Sequence, residues 1–157
     1  MKASTTALVV QPGEAAGASL TDGAFELLAD GGAVSASRLT LAAGADGAPP
    51  HHHKLSHELF YVLDGTMLFR LGGTLTTVGK GGLVVIPPNL PHVFGAAEGQ
   101  VADVVVVLSP GIERFGYFEQ LAAISRGEAE FASLLPEQHR YDVHFEDIPD
   151  WRSASLR

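Results

Sequence analysis

Cysteine is absent from all 157 residues, which excludes disulfides, thiolate metal sites and cysteine nucleophiles together. Any metal held by this chain must sit on nitrogen and oxygen. Basic charge is scarce as well. Ten Lys and Arg stand against 18 Asp and Glu, giving a formal net charge of -8, and no Lys/Arg cluster breaks the pattern. Nucleic acid and anionic membrane surfaces are thereby excluded as partners. Small organic molecules and protein partners remain. Long apolar runs are also missing: no segment approaches the roughly 20 residues that span a bilayer. Met1 to Val10 carries one Lys and a short apolar stretch, without the long hydrophobic region of a secretory signal. The expectation is a soluble cytoplasmic protein.

What the chain does have is a hydrophobic content of 46%, which rules out disorder and suits one domain over 1–157 with a real core. Its apolar residues fall in short runs cut by turn residues. Ala24 to Leu28 and Val34 to Leu41 read as strands separated by Asp30-Gly31-Gly32. In the second, Val34, Ala36, Arg38 and Thr40 share one face and Ser35, Ser37, Leu39 and Leu41 the other. Ala7 to Val10 is a candidate edge strand or dimer contact, Glu14 to Ser19 a loop, and Ala42 to Pro50 a Gly- and Pro-rich loop.

Further strands are expected at Leu59 to Leu63, Thr66 to Leu71, Thr74 to Val78, Leu83 to Ile86, His92 to Phe94 and Val101 to Leu108. Asp64-Gly65 is a type I′ hairpin signal, which predicts that the chain reverses there. Many short strands at this spacing predict an all-β barrel or jelly roll over about 24–108. From Ile112 the period changes: Ile112, Phe115, Phe118, Leu121 and Ala122 form one face of a helix ending near Gly127. A second helix is expected from Glu128 to Leu135, stopped by Pro136. The aromatic tail, with Tyr141, His144, Phe145 and Trp151, is expected to wrap over the body or a neighbouring subunit.

The densest chemistry lies in His51-His52-His53-Lys54-Leu55-Ser56-His57-Glu58. In an extended segment side chains two apart share a face, so His51 and His53 aim at one point and His52 away from it. Glu58 can reach the same point from the next strand. Two imidazoles and a carboxylate suit a divalent first-row metal with open coordination positions. A one-residue slip would exchange Glu58 for His57, whose expected role is otherwise to support the site or face solvent. His139 and His144 are expected in solvent. Asp103 is either on the solvent face of its strand or inside the barrel.

Two motifs now carry a family resemblance. His51-x-His53-x4-Glu58-x6-Gly65 resembles the first motif of the cupin superfamily, and Gly81-x5-Pro87-x-Asn89-x2-His92 resembles the second, in order and at the right separation. Asn89 stands where the second motif usually has Gly; Asn is the next most tolerant of a left-handed backbone. Ala96 stands where a non-ligating Asn is often found. Ser109-Pro110-Gly111-Ile112-Glu113-Arg114-Phe115 is similar to the segment that leads into a C-terminal helix in quercetinase-like single-domain cupins.

The resemblance implies a cupin-type jelly-roll barrel with a C-terminal helical segment over about 111–157, and a homodimer. It also implies one divalent transition metal per chain (Fe, Mn, Ni, Co, Cu or Zn) on His51, His53, Glu58 and His92. Phe60 and Val62 share parity with Glu58, and Phe94 with His92, so these three are candidates for a substrate-pocket wall or for plain core packing.

The functional expectation is a metal-dependent dioxygenase acting on a small planar enol or phenol, with Glu58 as the catalytic proton acceptor. A Lewis-acid isomerase, cyclase or lyase is the alternative. A non-catalytic small-molecule-binding module is the third.

Overall fold

The computed structural model of the chain describes residues 6–153. Its longest strand, β5 (His57–Leu71), is the element on which the fold is arranged. In its first half Glu58, Phe60 and Val62 point inward and are buried, while His57 and Tyr61 are exposed. In its second half the buried apolar residues are Met67 and Phe69. The inward parity changes from even to odd, and one extra residue causes the change. Val62 pairs with Val104 and Asp64 with Asp103, so Leu63 is inserted as a β-bulge and both halves keep their apolar face on the core.

The hairpin expected at Asp64-Gly65 is therefore not formed. Gly65 lies in the left-handed region at φ 72°, and a Cβ there would overlap the backbone carbonyl of Val101. This glycine marks the bend at which β5 leaves one sheet for the other. The chain reverses later, at Gly72-Gly73, where Leu71 pairs with Thr74.

Around β5 the remaining strands form two layers. β1 (Ala16–Leu20), β2 (Gly23–Ala29), β3 (Ser35–Leu41), β9 (Ala102–Ser109), the first half of β5 and β7 (Leu83–Ile86) make one sheet. β6 (Thr74–Gly79), the second half of β5, β8 (His92–Ala96), β4 (His51–His52) and β10 (His144–Phe145) make the other. All pairings are antiparallel. The architecture is the expected all-β jelly-roll barrel with a short helical segment after it.

The core sits between the layers. In β3 the face with Ser35, Ser37, Leu39 and Leu41 is the buried one. Phe60, Phe69 and Phe94 fill one end of the barrel, with ring centroids 4.9 to 6.1 Å apart. Aromatic burial of this size is the largest apolar contribution per residue available to a small core. At the other end, α1 (Phe115–Ser125) lays Phe118 on Phe25 at 4.7 Å between centroids. The Asp30 carboxylate accepts hydrogen bonds from the N–H groups of Arg114 and Phe115 and so satisfies donors that the start of a helix leaves open.

Three further sequence expectations differ. Glu14 to Ser19 is not all loop, because Ala16 to Leu20 forms the edge strand β1. Its small residues carry little strand preference, and the ladder to β2 overrides it. Ala7 to Val10 forms no strand, and Leu8 and Val9 are each 69% exposed. Pro136 does not stop the second helix: it lies within a 3-10 turn, Phe131–Glu137, which runs on into α2 (Gln138–Tyr141). No helix among the described residues is long and apolar enough to cross a membrane.

The tail wraps over its own chain. Arg70, buried in β5, donates to the carbonyls of Trp151 and Ser153, and Arg152 donates to those of Ala45 and Ala96.

The bulge generates a prediction. Gly65→Ala should lose roughly 2–5 kcal/mol of stability, from a non-glycine residue at positive φ and an overlap with backbone. Gly73→Ala, with open space around its added Cβ, should stay within about 0.5 kcal/mol of the parent. Denaturant midpoints of the two variants check this.

Candidate metal centre

Strand pairing brings the chemistry together. His51 in β4 is the direct cross-strand partner of His92 in β8, and His53 follows β4 on the same side as His51. Glu58 is the first inward residue of β5. His51, His53, Glu58 and His92 are all buried, and their ligand atoms lie within 4.8 Å of one another. Glu58 Oε1 is 3.0 Å from His92 Nε2 and 3.4 Å from His53 Nε2. Asn89, at φ 68° as the motif requires, ties the second motif to the site by donating its N–H to the His53 carbonyl at 2.6 Å.

The protonation pattern follows from what each ring touches. His51 Nδ1 lies 2.6 Å from the Pro49 carbonyl, His53 Nδ1 2.7 Å from that of Asp142, and His92 Nδ1 2.8 Å from that of Leu90. A carbonyl oxygen only accepts, so each Nδ1 carries a proton, and each ring in its neutral form turns an Nε2 lone pair inward. His53 Nε2, His92 Nε2 and Glu58 Oε1 are buried with no hydrogen-bond partner.

Acceptors gathered without a donor in a dry site are costly to leave unmet, and a cation meets all of them at once. The donor set of three imidazoles and one carboxylate fits a divalent transition metal, and fits zinc, nickel, iron, manganese, cobalt or copper alike.

Electrostatics agree with that fit. Burial, with His92 and His53 beside it, holds His51 well below the ordinary histidine range, which keeps the ring neutral and able to ligate. Burial opposes the Glu58 charge, and positive charge with Nε2–H donation from His53 and His92 outweighs it and holds the carboxyl well below the usual carboxylate range; with those rings neutral, a cation takes over that part.

The site opens onto a cavity lined by His51, His53, Glu58, Phe94, Arg114 and Tyr117 among others. It holds about 400 Å³ of unfilled space including its mouth, of which about 30 Å³ is open to a water-sized group. That is room for roughly two waters. Phe94 lines the cavity. Phe60 and Val62 do not: both are fully buried, with Phe60 packed on Phe69 and Phe94, and they belong to the closed end of the barrel.

The other histidines separate clearly. His57 is exposed on the outer face of β5. His52 points away from the centre, yet it is not idle: its Nδ1 lies 2.7 Å from Glu146 Oε1, and its ring stacks on His144 at 5.1 Å. His144 was expected in solvent. It is partly covered, with Nε2 3.2 Å from Asp142 Oδ1. His139 is exposed. Asp103 lies on the outer side, in a two-point ion pair with Arg38 at 2.8 and 2.7 Å.

Sequence reasoning missed Asp142, Arg114 and Tyr117. Asp142 accepts the N–H groups of Lys54 and Leu55 on its carboxylate and orients His53 through its carbonyl. Arg114 is 1% exposed. It stands inside the Pro110-Gly111-Ile112-Glu113-Arg114-Phe115 segment, but nothing in that motif says that its side chain turns inward. Tyr117 is offset by one residue from the apolar helix face that was recognised.

A cupin-domain family model matches residues 37–108. Among solved structures, the chain is similar to the polyketide cyclase RemF from Streptomyces resistomycificus, at 24% identity over 67% of this chain and 80% of that one, with a TM-score of 0.55. It is similar to an RmlC-like cupin from Shewanella frigidimarina, at 16% identity over 70% and 96%, with a TM-score of 0.60. It is also similar to Pac13, a nucleoside dehydratase from Streptomyces, at 14% identity over 69% and 87%, with a TM-score of 0.58. The fold is a cupin fold. A comparison with curated proteins finds no match.

The matched segment contains all four candidate ligands, whereas Arg114, Tyr117 and Asp142 lie beyond it.

Elemental analysis of purified variants tests the centre. His51→Ala should lose most of its metal. His52→Ala should keep it, while the end of the tail loses protection from hydrogen exchange, because Glu146 and His144 lose their partner.

Proposed function

We propose that this cupin is a metal-dependent enzyme, and that its chemistry is oxygenation of a small organic substrate bearing an enolic or phenolic oxygen. The observation that carries the proposal is that His51, His53 and the Glu58 carboxylate, three members of the four-residue ligand group, line a mostly apolar cavity. A structural metal is normally closed in by four protein ligands, often thiolates; here the donor set faces space that another molecule can enter.

A divalent transition metal held by His51, His53, Glu58 and His92 would supply positive charge and open coordination positions to substrate and dioxygen. The chain's own residues do the rest. Glu58, kept ionised at neutral pH, is placed to accept the acidic proton of the substrate. Phe94, Leu39, Val106 and Val143 exclude water and give a flat substrate apolar surface. As closed, the cavity admits only small groups, so a large ring system requires α1 and the segment around Val143 to move aside.

A second reading, a Lewis-acid cyclase or lyase, is favoured by Tyr117. Burial pushes its hydroxyl well above the ordinary tyrosine range, which keeps it protonated as a hydrogen-bond donor to a substrate oxygen beside the centre. The names of two fold neighbours, a cyclase and a dehydratase, point the same way.

Oxygen uptake separates the two. Iron- or nickel-loaded protein given catechol, a β-diketone or a flavonol should consume oxygen, and Glu58→Gln should reduce the rate by about 10²-fold or more. Turnover under strict anaerobiosis with zinc would select the second reading instead.

The homodimer is carried as a proposal too. Tyr61, Leu83 and Val85 are 44 to 56% exposed and share the outer face of β5 and β7 by register. Sedimentation should give a dimer, and Val85→Lys should shift it to monomer.

A further inference from the structure

Arg114 is the residue of the cavity that the metal reading leaves unused. Its guanidinium is fixed along one edge: Nε donates to the Tyr141 carbonyl at 2.7 Å, and Nη2 lies 3.5 Å from the Asp142 carbonyl and 3.7 Å from its carboxylate. The other edge has no such partner. Nη1 is buried and unpaired, and so is the hydroxyl of Tyr117, which is 3% exposed. Both residues line the cavity that His51, His53 and Glu58 open onto.

Buried donors without acceptors are rare in folded proteins, and each costs the desolvation of the group. A guanidinium needs more than the Asp142 carboxylate at 3.7 Å to balance it. Burial works against its charge, and only partial compensation comes from Glu58 and Asp142.

The sign of the missing partner follows from the charges. Glu58 and Asp142 bring one negative charge each and Arg114 one positive; a divalent cation on the four ligands adds two positive. The sum is one positive charge, which a dry cavity tolerates only when it is paired. A hydrogen-bond acceptor carrying one negative charge completes both the charge and the two open donors.

We propose that the cavity is a built oxyanion subsite, in which Arg114 Nη1 and Tyr117 Oη hold the carboxylate of a small organic acid whose remainder faces the metal centre. The inference rests on the metal-dependent reading above and narrows its substrate class to anions. Phe25, Leu39 and Phe118 contribute apolar walls around the rest of the acid, and Ser37 is a further polar residue of the lining. Arg114 and Tyr117 are one helical turn apart at the start of α1, and that spacing brings both side chains to one side of the helix. The small open volume limits the anion in the closed state to the size of acetate.

Isothermal titration of acetate, with acetamide as its neutral isostere, tests the subsite on metal-free and zinc-loaded protein. Acetate should bind the zinc-loaded protein and acetamide should not; on metal-free protein, where the same charges sum to one negative, acetate should bind more weakly. Tyr117→Phe should weaken acetate about tenfold, the loss of one hydrogen bond to a charged group, at unchanged zinc content. Its melting temperature should be unchanged or higher, because the hydroxyl removed has no partner in the free protein. Arg114→Gln should abolish acetate binding; should that variant fail to fold, Tyr117→Phe alone decides. Equal binding of acetate and acetamide, or acetate binding untouched by Tyr117→Phe, overturns the proposal. Failure of the chain to take up zinc overturns the metal reading, and the subsite that rests on its charge falls with it; zinc uptake without acetate binding overturns the subsite alone.

Discussion

Three hydrogen bonds from imidazole Nδ1 to backbone carbonyls are the constraint on which the rest of this structure depends. They fix which nitrogen of His51, His53 and His92 carries the proton, and so turn three neutral rings into three inward lone pairs. Without those carbonyls each ring could rotate or exchange tautomer, and its metal-facing nitrogen would be a donor part of the time. Two of the carbonyls, of Pro49 and Leu90, lie two residues before their own histidines and come with the local chain. The third belongs to Asp142, 89 residues beyond His53. The C-terminal segment is thus part of the site, and its docking and the site's geometry are one event.

That coupling explains why the tail is tied down so heavily. Asp142 caps the backbone of Lys54 and Leu55, β10 pairs with β4, and Glu146 meets His52. The middle member of the histidine triplet points away from the metal-facing pair, as alternation requires, and holds the segment that orients His53. All three histidines therefore act on one site from the two faces of one strand.

Much of this was legible in the residues. The alternation in Val34 to Leu41 separated the two faces of β3 without saying which is buried, Asn89 was identified as a left-handed position, and the face of α1 followed from its period. His51, His53 and Glu58 could be picked out because they sit at short, strand-compatible spacings, whereas His92 was reached only through the resemblance of the second motif. The Asp64-Gly65 hairpin failed for a physical reason: a dipeptide that favours a two-residue turn also satisfies a β-bulge, and the choice is made by Val101 and the strands on either side, not locally. Asp142, Arg114 and Tyr117 were invisible because burial of a polar side chain is decided by tertiary contact, and nothing in their neighbourhood differs from an ordinary helix or tail. Phe60, Val62 and Phe94 show the limit of parity: it puts all three inside, but only depth along the barrel separates the cavity wall from the closed end.

The central claim is that one metal ion sits on His51, His53, Glu58 and His92 through three Nε2 atoms and a carboxylate. X-ray absorption at the metal edge of the purified, metal-loaded protein tests it most directly, since imidazole rings leave a distinctive multiple-scattering signature. The account predicts three imidazoles and additional oxygen ligands in a five- or six-coordinate shell, falling to two imidazoles in His92→Ala. A shell with two imidazoles or fewer in the parent, or one unchanged by His92→Ala, would contradict it and direct attention to the outer pair, His52 and His144.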